Sequence, residues 1–189
     1  MDDRIFWVGF SLVKGIGSVR MQALADFYGN LEIAWNAPYD SLIETGLSAR
    51  ICDRIVQLRS QVDLEKYWQR IKGQGIQVLV RDDELYPRFL REISQPPPVL
   101  YVRGELSLED EWAVAIVGTR KLTHYGRQAT EEFARQLAEH HITVVSGLAR
   151  GVDAIAHKTA VDAGGRSIAV LGSGVDRIYP PEHKSLAEK

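Results

Sequence analysis

The sequence predicts an α/β fold, a parallel sheet with crossover helices preceded by a small all-α domain. Two observations predict it. Between Trp112 and Pro180 an apolar strand runs three times into a glycine-bearing turn, each expected to lead into a helix. Before residue 75, by contrast, apolar residues recur at spacings of three and four.

The helical part comes first. Helices are expected over residues 4–13, 18–28, 48–59 and 63–72. Ser48 is suited to an N-cap, and Gly29 and Gly73 to helix stops. Turn chemistry at Asn36-Ala37-Pro38 and Glu44-Thr45-Gly46 separates the pieces. Leu12-Val13-Lys14-Gly15-Ile16-Gly17 fits a helix-hairpin-helix turn. It is either a plain connector or a set of backbone N–H groups offered to a phosphate.

The texture changes near residues 73–75, which divides the chain into domains at 1–75 and 76–189. Strands are expected over 76–80 and 99–103, joined through a loop at 82–87 and the stiff connector Gln95-Pro96-Pro97-Pro98. The repeating strands follow at 113–117, 142–146 and 167–171, with helices over 126–140 and 152–163. Gly164-Gly165 closes the second helix. The alternation gives a Rossmann-like parallel sheet of three strands, or five if the preceding two join it.

Composition bounds the function. Of 189 residues, 45% are hydrophobic and 25% charged, as in an ordinary globular protein. The single cysteine, Cys52, excludes an internal disulfide framework. No apolar run approaches the ~20 residues of a membrane span, and Met1-Asp2-Asp3-Arg4 is not a basic leader start. A cytoplasmic protein is expected. Net charge is −2, so any polyanion site must be a local patch. Residues 1–111 carry a net −4 and residues 112–189 a net +2.

The three turns are the candidate site. Parallel strands align them along one sheet edge, where helix N-termini favour anions. In Gly118-Thr119-Arg120 the glycine admits a ligand to the backbone, and Arg120 can fork onto phosphate. The same residues would also suit a plain turn with a solvated arginine. Ser146-Gly147-Leu148-Ala149-Arg150-Gly151 spaces two glycines for an inward-turned anion nest. Asp153 and His157 follow one helical turn apart and read as a cap-and-brace pair. The alternative is a metal or acid–base pair, which lacks further ligands at recognisable spacing. Gly172-Ser173-Gly174 begins a dinucleotide fingerprint, but Arg177 stands where its third glycine belongs. Tyr179-Pro180 ends this loop, the ring either stacking on a base or anchoring the loop. No cofactor, metal or catalytic residue is expected. A rival reading is a Rossmann hydrolase for a nucleotide monophosphate, which would need a general acid or base beside a phosphate turn. In another, the N-terminal helices form a protein-interaction module.

Taken together, these blocks resemble the DNA-processing protein A family (DprA/Smf). The resemblance runs through 97–104, Val114-Ala115-Ile116-Val117-Gly118-Thr119-Arg120 with Tyr125-Gly126, and 145–153 with Ala156-His157. It continues through 169–176 with Tyr179-Pro180. It implies a SAM-like N-terminal domain and an extended Rossmann-like domain. It also implies single-stranded DNA as ligand, a role in natural transformation, and help in loading a RecA-type recombinase. The resemblance places Arg120 in a basic DNA pocket bordered by the third loop, with His183 and Lys184 at often-basic positions. It implies a homodimer for full-length members. The family's later Phe-Pro-x-Arg-Asn-Arg and Ser-Gly-Ser-x-x-Thr segments are absent, so an incomplete C-terminal sheet is expected.

Overall fold

The computed structural model describes residues 2–189. It divides into two compact units, ending and beginning at Gly104 and Glu105.

The first unit opens with the helices α1 (Arg4–Ser11), α2 (Ser18–Tyr28), α3 (Leu31–Asn36), α4 (Tyr39–Glu44), α5 (Ala49–Gln61) and α6 (Leu64–Gly73). The short α3 and α4 lie in stretches to which the sequence assigned no helix, and each ends at one of the expected turns. Asn30 starts α3 by accepting the Ile33 N–H at 2.8 Å. Their six residues are too few to show a helical period. Phe10 of α1 meets Trp35 of α3 edge to face, with ring centroids 5.1 Å apart. Gly9 allows this closeness, because a Cβ there would lie 2.9 Å from Trp35.

Strands β1 (Ile76–Val80) and β2 (Val99–Arg103), with the one-turn α7 (Arg88–Arg91) between them, also belong to this unit. They pair with each other, antiparallel, and do not join the parallel sheet. β1 packs on α1 and α6. Ile76, Val78, Leu79 and Val80 are buried there, so these strands complete the helical core. The packing boundary therefore falls about thirty residues after the change of sequence texture.

The second unit is a three-stranded parallel sheet in the order β3 (Ala113–Ala115), β4 (Thr143–Ser146), β5 (Ser167–Ala169). Helices α8 (His124–Glu139) and α9 (Val152–Asp162) pack on each other and on β4. Thr123 caps α8 by accepting the Gly126 N–H at 3.0 Å. The shared core is Val144 with Ala134, Ala138, Ala156 and Ala160. Small side chains let the two helices approach closely, and Gly165 is needed there because a Cβ would lie 2.5 Å from the Ala138 Cβ.

The third turn departs from expectation. No helix follows β5 directly. Residues 170–180 are irregular and lead to a 3-10 turn and the four-residue α10 (Lys184–Ala187). Pro180 is fully buried and anchors this segment, while Tyr179 stays 58% exposed. No helix among the described residues is long and apolar enough to cross a membrane.

Candidate nucleic-acid interface

The first two turns are locked together through their backbones. The Thr119 carbonyl accepts the Val152 N–H at 3.1 Å, so the start of α9 is capped from the first turn. Gly151 has φ +88°, and any Cβ there would run into the Thr119 carbonyl oxygen and the Arg120 backbone. Gly118 is constrained by a side chain, since a Cβ would lie 2.7 Å from Val152 Cγ2. Both glycines therefore serve the contact between turns.

The second turn spends much of its donor capacity inward. The Gly147 N–H donates to Asp153 Oδ2 at 3.1 Å, and the Leu148 N–H donates to His157 Nε2 at 3.2 Å. The Ser146 hydroxyl donates to the Ile116 carbonyl at 2.6 Å. Ser146, Leu148, Asp153 and His157 are all buried. The expected nest is thus corrected: Ser146, Gly147 and Leu148 brace the loop from within. Among the described residues, the N–H groups of Ala149, Arg150 and Gly151 have no acceptor.

Asp153 and His157 do brace this loop, though through separate N–H groups and without a hydrogen bond to each other. The His157 network has one consistent direction. The Ser167 hydroxyl donates to the Val144 carbonyl at 3.0 Å. Its oxygen then accepts from His157 Nδ1 at 2.7 Å, leaving Nε2 to accept from Leu148. The imidazole is held neutral: burial lowers its pKa, against a smaller opposing pull from Asp153. Leu148 itself has φ +55°, and its carbonyl lies 2.8 Å from His183 Nδ1. Neither Asp153 nor His157 is placed to act as an acid or base on a ligand at the outer face.

The cations sit outside. Arg120 is exposed and makes no ion pair among the described residues. Thr119 lies beside it, its hydroxyl oxygen accepting the Lys121 N–H at 3.1 Å. Arg150 is held by Glu182, with Nε and Nη2 both 2.6 Å from the same carboxylate oxygen. That carboxylate keeps the Arg150 pKa above its ordinary value, and the Glu182 pKa is lowered in return. Gly172, Ser173 and Gly174 are exposed, and the Ser173 hydroxyl donates to the Arg177 carbonyl at 2.8 Å. Lys184 stands on α10, which packs on α9, and its ammonium is 3.8 Å from Glu188. Lys121 and Arg177 were not singled out as ligands from sequence. Both are exposed cations in the first and third turns, and their adjacency to Arg120 and Gly174 was the available signal.

At the opposite end of the sheet, Asp110 ties the segment before β3 to β4 and β5. Its carboxylate accepts from the Ser107 N–H, the Thr143 hydroxyl and Arg166, at 2.7–2.9 Å. Burial alone would raise its pKa, but these partners together hold it below the usual carboxylate value.

A parallel α/β sheet with glycine turns and exposed cations at its strand ends belongs to the open α/β class, whose strand ends are where such sheets hold their ligands. The family model of DNA recombination-mediator protein A matches residues 77–189, and the chain belongs to this DprA/Smf family. It is 38% identical to Protein Smf of Synechocystis sp., over 99% of this chain and 48% of that protein. Its fold matches the crystal structure of DNA processing protein A from Streptococcus pneumoniae with TM-score 0.78 and 25% identity. That match covers 97% of this chain and 63% of the other. A Helicobacter pylori DNA processing protein A, described for its single-stranded DNA binding mode, matches with TM-score 0.52 and 36% identity. There 60% of this chain and 50% of the other are covered. The chain spans about half the length of the relatives it matches.

Proposed function

We propose that this chain carries part of the single-stranded DNA surface of a recombination mediator acting on DNA taken up in natural transformation. In this reading it binds without catalysis, in the cytoplasm, and the whole protein hands its DNA to a RecA-type recombinase, as a homodimer. The observation that carries the reading is the unpaired, exposed Arg120 beside two turns locked backbone to backbone. Phosphates would sit against Arg120, Lys121 and the free N–H groups of Ala149, Arg150 and Gly151. Gly118 and Thr119 shape the first turn, and Gly172, Ser173, Gly174, Arg177 and Lys184 extend the edge. Tyr179, exposed beside them, offers a face on which a base can stack. By sequence, residues 1–75 form the SAM-like helical domain and 76–189 the start of the DNA-binding domain. The family match from residue 77 favours that division, whereas packing groups residues 76–104 with the helices.

The test is fluorescence anisotropy of a labelled single-stranded oligonucleotide across a salt series. Arg120→Ala should weaken binding about tenfold or more, the scale of one charge-assisted hydrogen bond. It should also flatten the salt slope by about 0.7, the share of one neutralised phosphate. Unchanged affinity and slope would refute the assignment.

A further inference from the structure

We propose that the turn between α1 and α2 is a second contact for nucleic acid, taking a backbone phosphate without regard to sequence. It is independent of the sheet-edge reading. The site is a cationic patch made by Lys14, Arg20 and Arg54.

Buried Val13 and Ile16 pin the turn from beneath, which leaves Lys14, Gly15 and Gly17 exposed. Two guanidiniums from different helices converge on it. Arg20 Nη1 of α2 donates to the Gly15 carbonyl at 2.6 Å, and Arg54 Nη1 of α5 donates to the Lys14 carbonyl at 2.7 Å. Gly15, at φ +105°, gives the turn a backbone conformation that other residues rarely adopt.

Two consequences follow for a ligand. The carbonyl oxygens that would repel an anion are covered by positive charge. Each guanidinium spends one of its five N–H donors on the turn and keeps others for solvent or phosphate. Arg50 adds a fourth cation one helical turn before Arg54. None of the four makes an ion pair among the described residues. The segment 1–111 is nonetheless acidic overall, so the patch is a local reversal of charge and not part of a basic surface. A cluster of exposed cations with unspent N–H donors suits a phosphodiester, which positions a nucleic acid without reading its bases.

The full 189-residue chain is titrated against labelled single-stranded and duplex oligonucleotides of equal length in a salt series. Lys14→Glu is the main variant, because Lys14 is exposed and its side chain holds nothing in place. Lys66→Glu, at an exposed position on α6 beside Asp63, makes the same charge change on another helix. Lys14→Glu should weaken binding to one or both oligonucleotides about fivefold and lower the salt slope by about one, with Lys66→Glu near wild type. Equal effects of the two, or none from Lys14→Glu, would overturn the proposal. Arg120→Ala separates the two sites. Loss with Arg120→Ala while Lys14→Glu is silent refutes the patch and keeps the sheet edge. The reverse result refutes the edge and keeps the patch. No binding by wild type at low salt overturns both.

Discussion

Protonating His157 should unlock the second turn. The neutral ring is the acceptor for the Leu148 N–H and the donor to Ser167. An added proton on Nε2 would face that N–H at 3.2 Å and break the bond, stranding a buried donor at about 1–3 kcal/mol. The direction with pH follows from the lowered pKa. The unfolded chain titrates near the ordinary value of 6.5 and the folded one below it. The bracing contribution is therefore complete above about 6.5 and is lost as pH falls through the folded value. In that window the slope reaches at most about 1.4 kcal/mol per pH unit for one proton.

Two groups facing the ring must be separated from it. Asp153 lies one turn before it on α9, and its carboxylate opposes the loss of the proton. His183 contacts the other side of Leu148 through the carbonyl. The assay is hydrogen exchange at the Leu148 amide from pH 7.5 to 5.0, corrected for intrinsic exchange, in wild type, His157→Gln and His183→Gln. Wild type and His183→Gln should lose protection as pH falls. His157→Gln should start lower and stay flat. If His157→Gln keeps the wild-type pH dependence, the ring is not the titrating group and the reasoning fails.

Substitutions at three other positions test the same architecture. Gly151→Ala puts a Cβ into the Thr119 backbone at a positive φ, so it should cost about 1–3 kcal/mol in strain alone. Thermal melting and single-stranded DNA affinity should fall together. Glu182→Gln removes the charge that competes for Arg150, and should tighten single-stranded DNA binding measured by anisotropy. A loss of affinity would mean that Glu182 positions Arg150 instead of masking it. Asp110→Ala strips acceptors from Ser107, Thr143 and Arg166 and should lower the melting temperature, with Asp110→Asn intermediate. Because the carboxylate's pKa is depressed, its contribution is present above about 3.8 and lost as pH falls below it.

Much of this was legible in the residues. The strands at 76–80 and 99–103 match to the residue, because Gly75, Pro98 and Gly104 bound runs of branched and aromatic side chains. Their partner was not legible, since an apolar run of five does not say which core it completes. The ladders of β3 and β5 stop two residues before the apolar runs do. Pattern marks burial, whereas a ladder ends where its neighbour leaves. Spacing on α9 picked out Asp153 and His157, but not that each would hold a different loop N–H. The Arg150–Glu182 pair joins residues thirty-two apart and has no local signature.

The inward spending of Gly147 and Leu148 changes how the edge should work. A loop whose own donors are satisfied is fixed before any ligand arrives, and only its outer N–H groups and Arg120 are left to meet one. Bracing residues and clamping residues should then fail differently. Arg120→Ala removes a counterion-releasing charge, so its effect on DNA binding should shrink as salt rises. His157→Gln removes no charge at pH 7.5. It should weaken binding by the same factor at every salt concentration, because it taxes the population of the competent loop and not the number of phosphates neutralised. Parallel salt plots for His157→Gln and convergent ones for Arg120→Ala would separate positioning from contact. Convergent plots for both would mean that the loop's geometry and its charge cannot be divided in this way.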